Sequence, residues 1–201
     1  MSITPFRPPE ALAYEEVMDR PSREAFQGIA IDLANTLDVH GDVLDDPGGP
    51  SAWAIANRAA LGPSEGFAEG DGRRLVRLRA AVRDLLAAVV DGGHPSSAAL
   101  EAVNAAAALA PGHPQLTWPL GGGRRSWTER SGTIGDAVLS AVARSTIELL
   151  AGEDGERLRR CSAPGCPRFF VARDARRVWC DSRTCGNRVR VARHAARRRA
   201  R

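Results

Sequence analysis

Apolar positions along the chain fall into helical and alternating runs, separated by Gly and Pro. From Arg73 to Val90, Leu75, Leu78, Val82, Leu85, Leu86 and Val89 return every three or four residues, and Gly92-Gly93 ends the pattern. Ser96 or Ser97 caps a second helix through Leu109, stopped by Pro111-Gly112. A third covers Thr133 to Ala151, with Ile134, Val138, Val142, Ile147, Leu149 and Leu150 as core positions and Gly152 at its end. Ser51 caps a shorter helix from Ala52 to Leu61, closed by Gly62-Pro63. Elsewhere the period is two. Phe26, Ile29, Ile31, Leu33 and Leu37 predict a half-buried strand that turns into helix near Asn35. Gln115 to Arg130 reads as a hairpin about Gly121-Gly122-Gly123, and His40 to Pro50 as a loop. Residues 1–23 form an irregular lead-in with a short helix at Glu10–Met18. The pattern predicts an α+β, helix-rich N-terminal domain with a small antiparallel sheet over residues 1–152, and a separate module over 153–201.

Charge sharpens that division. From Arg157 onward the chain carries fifteen Arg against Asp174 and Asp181, a net +13, while 1–156 carry thirteen Arg against twenty-two Asp and Glu, a net −9. A mildly acidic body with a strongly basic end has the electrostatic footprint of a nucleic-acid-binding appendage. There is no Lys, so the preference for Arg reflects coding bias; its clustering at one end does not. The first twenty residues lack the apolar core of a secretory signal, and no run approaches the roughly eighteen apolar residues of a membrane span. The expectation is a cytoplasmic chain with reduced thiols and no membrane partner.

All four cysteines lie in the basic end, as Cys161-x4-Cys166 and Cys180-x4-Cys185. Four thiolates suit a single structural zinc, which takes soft ligands in tetrahedral array. Ala163-Pro164-Gly165 makes a tight turn that aims the first two sulfurs at one point. Phe169-Phe170-Val171 is expected to pair with Arg176-Arg177-Val178-Trp179 in a small hairpin, with Phe169, Phe170 and Trp179 as its whole core. So small a unit needs metal, which contributes about 10–16 kcal/mol in zinc-finger peptides. Asp181 or Ser182 caps a final helix, whose Arg190, Arg193, Arg197 and Arg201 share one face. The module is thus zinc-ribbon or treble-clef-like and ends in a basic helix. Arg176, Arg177, Arg188, Arg190, Arg193 and Arg197 are its nucleic-acid-binding candidates. Duplex DNA is favoured over single strands because the aromatics are spent on packing.

Cys185-Gly186-Asn187-Arg188, with Trp179-Cys180 before it and Val189-Arg190-Val191-Ala192-Arg193 after it, resembles the CGNR zinc finger of bacterial proteins. Leu158-Arg159-Arg160-Cys161 and Cys166-Pro-Arg-Phe-Phe170 are similar to that finger's first half. In this family the finger follows an ABATE domain, and Ile31-Asp32-Leu33-Ala34-Asn35-Thr36 resembles its Leu-Asp-Phe-x-Asn-Thr signature, with Ile31 for Leu and Leu33 for Phe. The resemblance implies a stress-related transcription regulator and gives weight to Gly186, Asn187 and Arg188. Arg188 is open to two roles, offsetting thiolate charge or reaching phosphate.

Asp32, Asn35, Thr36 and His40 form the densest polar cluster of the N-terminal domain. They are candidates for binding a small-molecule effector, or else for capping a helix and tying a turn. No phosphate loop, dinucleotide fingerprint, nucleophile elbow or zinc-protease motif is present, so no enzyme is expected. Two other readings fit the same pattern: an RNA- or ribosome-associated protein, and an interaction module whose zinc only stabilises a protein interface. A single helix reads few bases, which makes a homo-oligomer plausible without any heptad to support it.

Overall fold

The computed structural model describes residues 23–118, 122–129 and 132–199. The helix expected at Glu10–Met18, as well as Gly121 and Arg201, lies outside them. The first element among the described residues is a helix, α1 (Arg23–Ala34), where alternation predicts a strand. Ile29, Ala30, Leu33 and Ala34 are buried against α6 (Ile134–Ala151), a 3.6-residue stripe that becomes visible once the alanines count as core. Ile31, which alternation would bury, is only half-buried.

The segment expected as loop contains a minimal antiparallel pair, β1 (Leu37–Asp38) and β2 (Gly41–Asp42). Next, α2 (Gly49–Ala56) starts before Ala52, behind Gly48 with φ of 77°. Ser51 does not cap it; its hydroxyl donates to the Phe67 carbonyl at 3.2 Å. A single turn, α3 (Arg58–Leu61), ends at Gly62. The longest helix, α4 (Glu69–Asp91), begins four residues before Arg73, because the Asp71 carboxylate accepts the Ala68 N–H at 3.2 Å and holds an extra turn. Its core stripe is the expected one apart from Val89, which is exposed. Ser96 caps α5 (Ser97–Ala107), accepting the Ala99 N–H at 3.1 Å.

The hairpin is present as β3 (Gly112–Thr117) and β4 (Arg124–Glu129), with Gly112 opposite Glu129 and Thr117 opposite Arg124. Thr133 and Asp136 form a reciprocal cap on α6. Ile147 is exposed rather than core; Ser140, Ser145 and Thr146 are buried in α6 instead. Their hydroxyls are satisfied: Ser140 donates to the Ala107 carbonyl at 3.0 Å and Thr146 to the Val142 carbonyl at 2.9 Å, while Ser145 accepts the Ala30 N–H at 3.2 Å.

After one turn, α7 (Glu153–Glu156), the chain makes β5 (Leu158–Arg160) and β6 (Phe169–Val171). Here the expected pairing is overturned. β6 pairs with β5, Leu158 opposite Val171 and Arg160 opposite Phe169, and not with Arg176–Trp179. That register sends Leu158 and Phe169, each 1% exposed, into the main core alongside Leu33, Leu86 and Leu149. Residues 174–177 make a turn instead, with the Asp174 carboxylate accepting the Arg176 N–H at 2.9 Å.

Polar contacts reinforce this junction. The Asn35 amide donates to the Phe169 carbonyl and accepts the Phe169 N–H, both at 2.9 Å, as a neighbouring strand would. Arg83 donates to the Ala34 carbonyl at 2.6 Å and the Pro167 carbonyl at 3.2 Å, and lies 5.4 Å from the Phe169 ring centroid. Burial, together with the charges of Arg79 and Arg160, lowers the Arg83 pKa. Arg160 pairs with Asp91 at 2.9 Å, and Arg168 with Asp38 at 2.7 Å. A single π turn (Ser182–Gly186) leads into the last helix, α8 (Asn187–Arg199). Among the described residues no helix is long and apolar enough to cross a membrane.

Candidate metal centre and nucleic-acid interface

Two knuckles bring the thiols together. In the first, Gly165 takes φ of 72°, the Cys166 N–H reaches the Ala163 carbonyl at 3.0 Å, and the Cys161 N–H reaches the Arg168 carbonyl at 2.9 Å. In the second, the Asp181 carboxylate accepts the N–H groups of Arg183 at 2.8 Å and Thr184 at 2.7 Å, setting the turn that carries Cys185. These bonds, Arg183 beside it and the Thr184 hydroxyl hold Asp181 below the usual carboxylate range.

The four Sγ atoms lie within 4.8 Å of one another, with Cys166–Cys180 at 3.9 Å, Cys180–Cys185 at 3.6 Å and Cys166–Cys185 at 3.7 Å. A tetrahedron with Zn–S bonds of about 2.3 Å has edges of about 3.8 Å, whereas a disulfide needs about 2.05 Å. All four cysteines are free thiols, and the cluster is positioned to bind one metal ion, in keeping with one structural zinc. Burial raises the thiols of Cys166 and Cys180, whose neighbouring thiols add to the effect. Burial acts the same way on Cys161 but is outweighed by the N–H groups of Cys180 and Ala163, so its pKa falls. Four thiolates this close require a cation.

The packing around the centre accounts for several residues of the motif. A Cβ on Gly186 would lie 2.9 Å from the Trp179 ring, so the ring seats directly on the backbone after Cys185. Arg188 donates to the Pro164 carbonyl at 3.2 Å and stands 4.0 Å from the Cys185 sulfur. Asn187 is exposed and has no side-chain partner among the described residues. Arg190 donates to the Ser182 carbonyl at 3.0 Å and lies 5.9 Å from the Trp179 ring centroid. Arg177 binds the carbonyls of Trp179 and Cys180 and stacks 4.7 Å over Phe170. Of the six arginines singled out by sequence, Arg177, Arg188 and Arg190 are therefore engaged inside the module. Arg176, Arg193 and Arg197 are exposed, with no side-chain partner among the described residues, as are Arg198 and Arg199.

The polar cluster of the N-terminal domain is dispersed. Asp32 is exposed and, with Asn35, lines a cleft against β6. Thr36 is buried; its hydroxyl donates to the Leu33 carbonyl at 2.8 Å and accepts from Arg79 at 2.9 Å. Arg79, itself 6% exposed, makes a two-pronged pair with Asp42, which holds that carboxyl below its ordinary range. His40 is exposed at the β1–β2 turn, its N–H on the Asp38 carboxylate at 2.7 Å. Sequence reasoning missed the buried Arg79–Asp42 pair and the Arg83 clamp. The available signal was Arg79 and Arg83 at i, i+4 on the otherwise apolar stripe of α4.

Residues 28–153 match the ABATE family, described as "Putative stress-induced transcription regulator", and residues 157–198 match the CGNR zinc finger. No curated protein matches the chain.

Proposed function

We propose that this chain, which belongs to the ABATE family and ends in a CGNR zinc finger, is a cytoplasmic DNA-binding transcription regulator of the stress response. Both matched families are of regulator and zinc-finger type rather than enzymatic. One observation carries the DNA-binding part. α8 buries no residue, holds six Arg and no acid, and follows directly on the four-cysteine cluster with Arg193, Arg197, Arg198 and Arg199 exposed. Its arginines from Arg193 to Arg199 have no side-chain partner among the described residues, and gain by lying against phosphate. Its metal would be held by Cys161, Cys166, Cys180 and Cys185, and would supply a fixed base for the helix with no chemistry of its own. The body would sense an effector or mediate assembly, and a second copy would double the bases read.

The test is fluorescence anisotropy of random duplex DNA and RNA against salt, on protein with measured zinc content. Neutralising about five phosphates gives a slope of log K on log[salt] of roughly −4.5. Arg193→Ala/Arg197→Ala should weaken binding uniformly across sequences and reduce the slope by about two. One zinc per chain with no binding to nucleic acid at low salt overturns the proposal and favours a protein-interaction module; tighter binding to RNA favours an RNA-associated role.

A further inference from the structure

The hairpin of β3 and β4 stands apart, since neither strand packs substantially on any other described element. A two-stranded hairpin alone is marginal in water and needs further strands or a covering element. The register sorts its residues by face. Pro114 lies opposite Trp127 and Leu116 opposite Arg125. Alternation then sets Pro114, Leu116, Trp118 and Trp127 on one face, and Gln115, Thr117, Ser126 and Thr128 on the other. A Cβ on Gly123 would meet the Trp118 ring at 2.8 Å and Leu116 at 3.2 Å, so these two side chains share one face. They are 77% and 74% exposed, more than any other large apolar side chain described.

The two edges differ as well. Proline has no N–H, so Pro114 and Trp127 form a non-hydrogen-bonded pair. Counting in twos from that pair, the outward backbone groups are those of Gly112, Pro114 and Leu116 on β3, and of Arg125, Trp127 and Glu129 on β4. Pro114 therefore blocks the β3 edge at its middle. The β4 edge keeps an outward N–H and C=O at all three residues, and among the described residues no third strand pairs with it.

We infer that β4 pairs with β4 of a second copy of this chain, antiparallel about a two-fold axis through Trp127. Charge selects that register. It places Arg125 opposite Glu129 of the second copy, and by symmetry it does so twice. Centring the axis on Arg125 or on Glu129 would instead set like charges opposite one another. The product is a four-stranded antiparallel sheet in the order β3-β4-β4-β3, in which the two apolar faces become one. The inference gives a contact surface to the second copy invoked above and rests on that reading only for its role on DNA; the dimer itself is measured without DNA.

The experiment is sedimentation velocity of the zinc-loaded full chain over about 1–100 μM. A concentration-dependent dimer is expected. Arg125→Glu and Glu129→Arg should each weaken it at least about tenfold, because two attractive cross-strand pairs become repulsive. Within one chain Arg125 stands opposite Leu116 and Glu129 opposite Gly112, so neither substitution sets like charges against each other in its own hairpin. An equimolar mixture of the two variants restores opposite charges in both pairs and should dimerise like the unaltered chain. Mixing would not cure a folding defect. A monomer throughout the range overturns the inference and leaves the face to a partner of another sequence. A dimer that neither variant weakens overturns it too, as do weakened variants that mixing does not restore. Duplex DNA binding is read on the same samples. A dimer without DNA binding supports the inference while sinking the regulator reading, and DNA binding by a monomer sinks the dimer alone.

Discussion

Asn35→Ala removes the one side chain that pairs with both backbone groups of Phe169. The two bonds, each 2.9 Å, leave the Phe169 N–H and carbonyl without partners at a residue 1% exposed. An unsatisfied backbone group in such a place costs about 1–3 kcal/mol, so the pair is worth roughly 3 kcal/mol after partial access of water. For a chain of this length that lowers Tm by roughly 6–12 °C. Phe169 follows Cys166 by three residues, so loosening it should also speed zinc release to a colorimetric chelator. Asn35→Asp keeps the acceptor for the Phe169 N–H but sets a carboxylate against the Phe169 carbonyl, and should be no better than Ala. Asp32→Asn, on the same helix but exposed, provides the contrast and should change stability by less than about 0.5 kcal/mol. The assays are urea and thermal unfolding of zinc-loaded protein, with chelator kinetics. A stability change below about 0.5 kcal/mol for Asn35→Ala, with zinc release unchanged, would refute the view that Asn35 joins body to finger.

Four further outcomes follow from the geometry. Because Leu158 and Phe169 belong to the main core, stripping zinc with a chelator should lower the unfolding midpoint of the whole chain; an unchanged major transition would show the finger to be thermodynamically separate. Asp42→Ala leaves Arg79 unpaired at 6% exposure and should cost about 3–5 kcal/mol by urea unfolding, whereas Asp42→Leu/Arg79→Met should recover part of it. The Asp42 carboxyl is depressed in the fold, so its contribution is present above the unfolded pKa of about 3.9 and lost as pH falls through the lower folded value. Acid unfolding of Asp42→Asn should accordingly vary less with pH below about 4. Gly186→Ala places a methyl 2.9 Å from the Trp179 ring and should cost about 1–3 kcal/mol, with weaker metal binding and altered tryptophan emission.

The parts of the fold legible in sequence are those governed by local chemistry. Ser96, Gly62 and Gly92 sit where the sequence puts a cap and two stops, because a helix end must satisfy its own orphan groups within a few residues, whereas Ser51, expected as a cap, gives its hydroxyl to the Phe67 carbonyl. The metal centre was legible for the same reason, since four thiols in two knuckles carry their chemistry with them. α1 was misread because Ile29, Ile31 and Leu33 alternate, and only its packing on α6 shows that Ala30 and Ala34 are core. The β5–β6 pairing was missed because the choice between partners turns on where Phe169 is buried, more than a hundred residues from Leu33 and beside it in the core. Arg79 and Arg83 are ordinary helix arginines until Asp42 and the Pro167 carbonyl arrive from distant segments.

The arginines of the finger divide by what they already touch, and that division decides what the module can do. Four thiolates around one divalent ion leave a formal charge of −2, which Arg188 partly offsets at 4.0 Å from Cys185. Arg177 and Arg190 are spent holding Phe170, Trp179 and the turn before α8. From Arg193 onward nothing in the described chain offsets the charge, and like charges along one helix repel. A polyanion removes that repulsion, so part of any binding energy goes into holding α8 helical. The base of that helix is placed by a continuous set of contacts. α1 grips Phe169 through Asn35, and β6 pairs with β5, which runs into Cys161; the four-sulfur cluster then ties Cys161 and Cys166 to Cys185, in the turn that starts α8. Each link is a hydrogen bond, a ladder or a metal-ready thiol set rather than a flexible linker. A change in how the body packs against β6 should therefore be felt at the base of α8, and the cleft beside Asn35 lies at the first of those links.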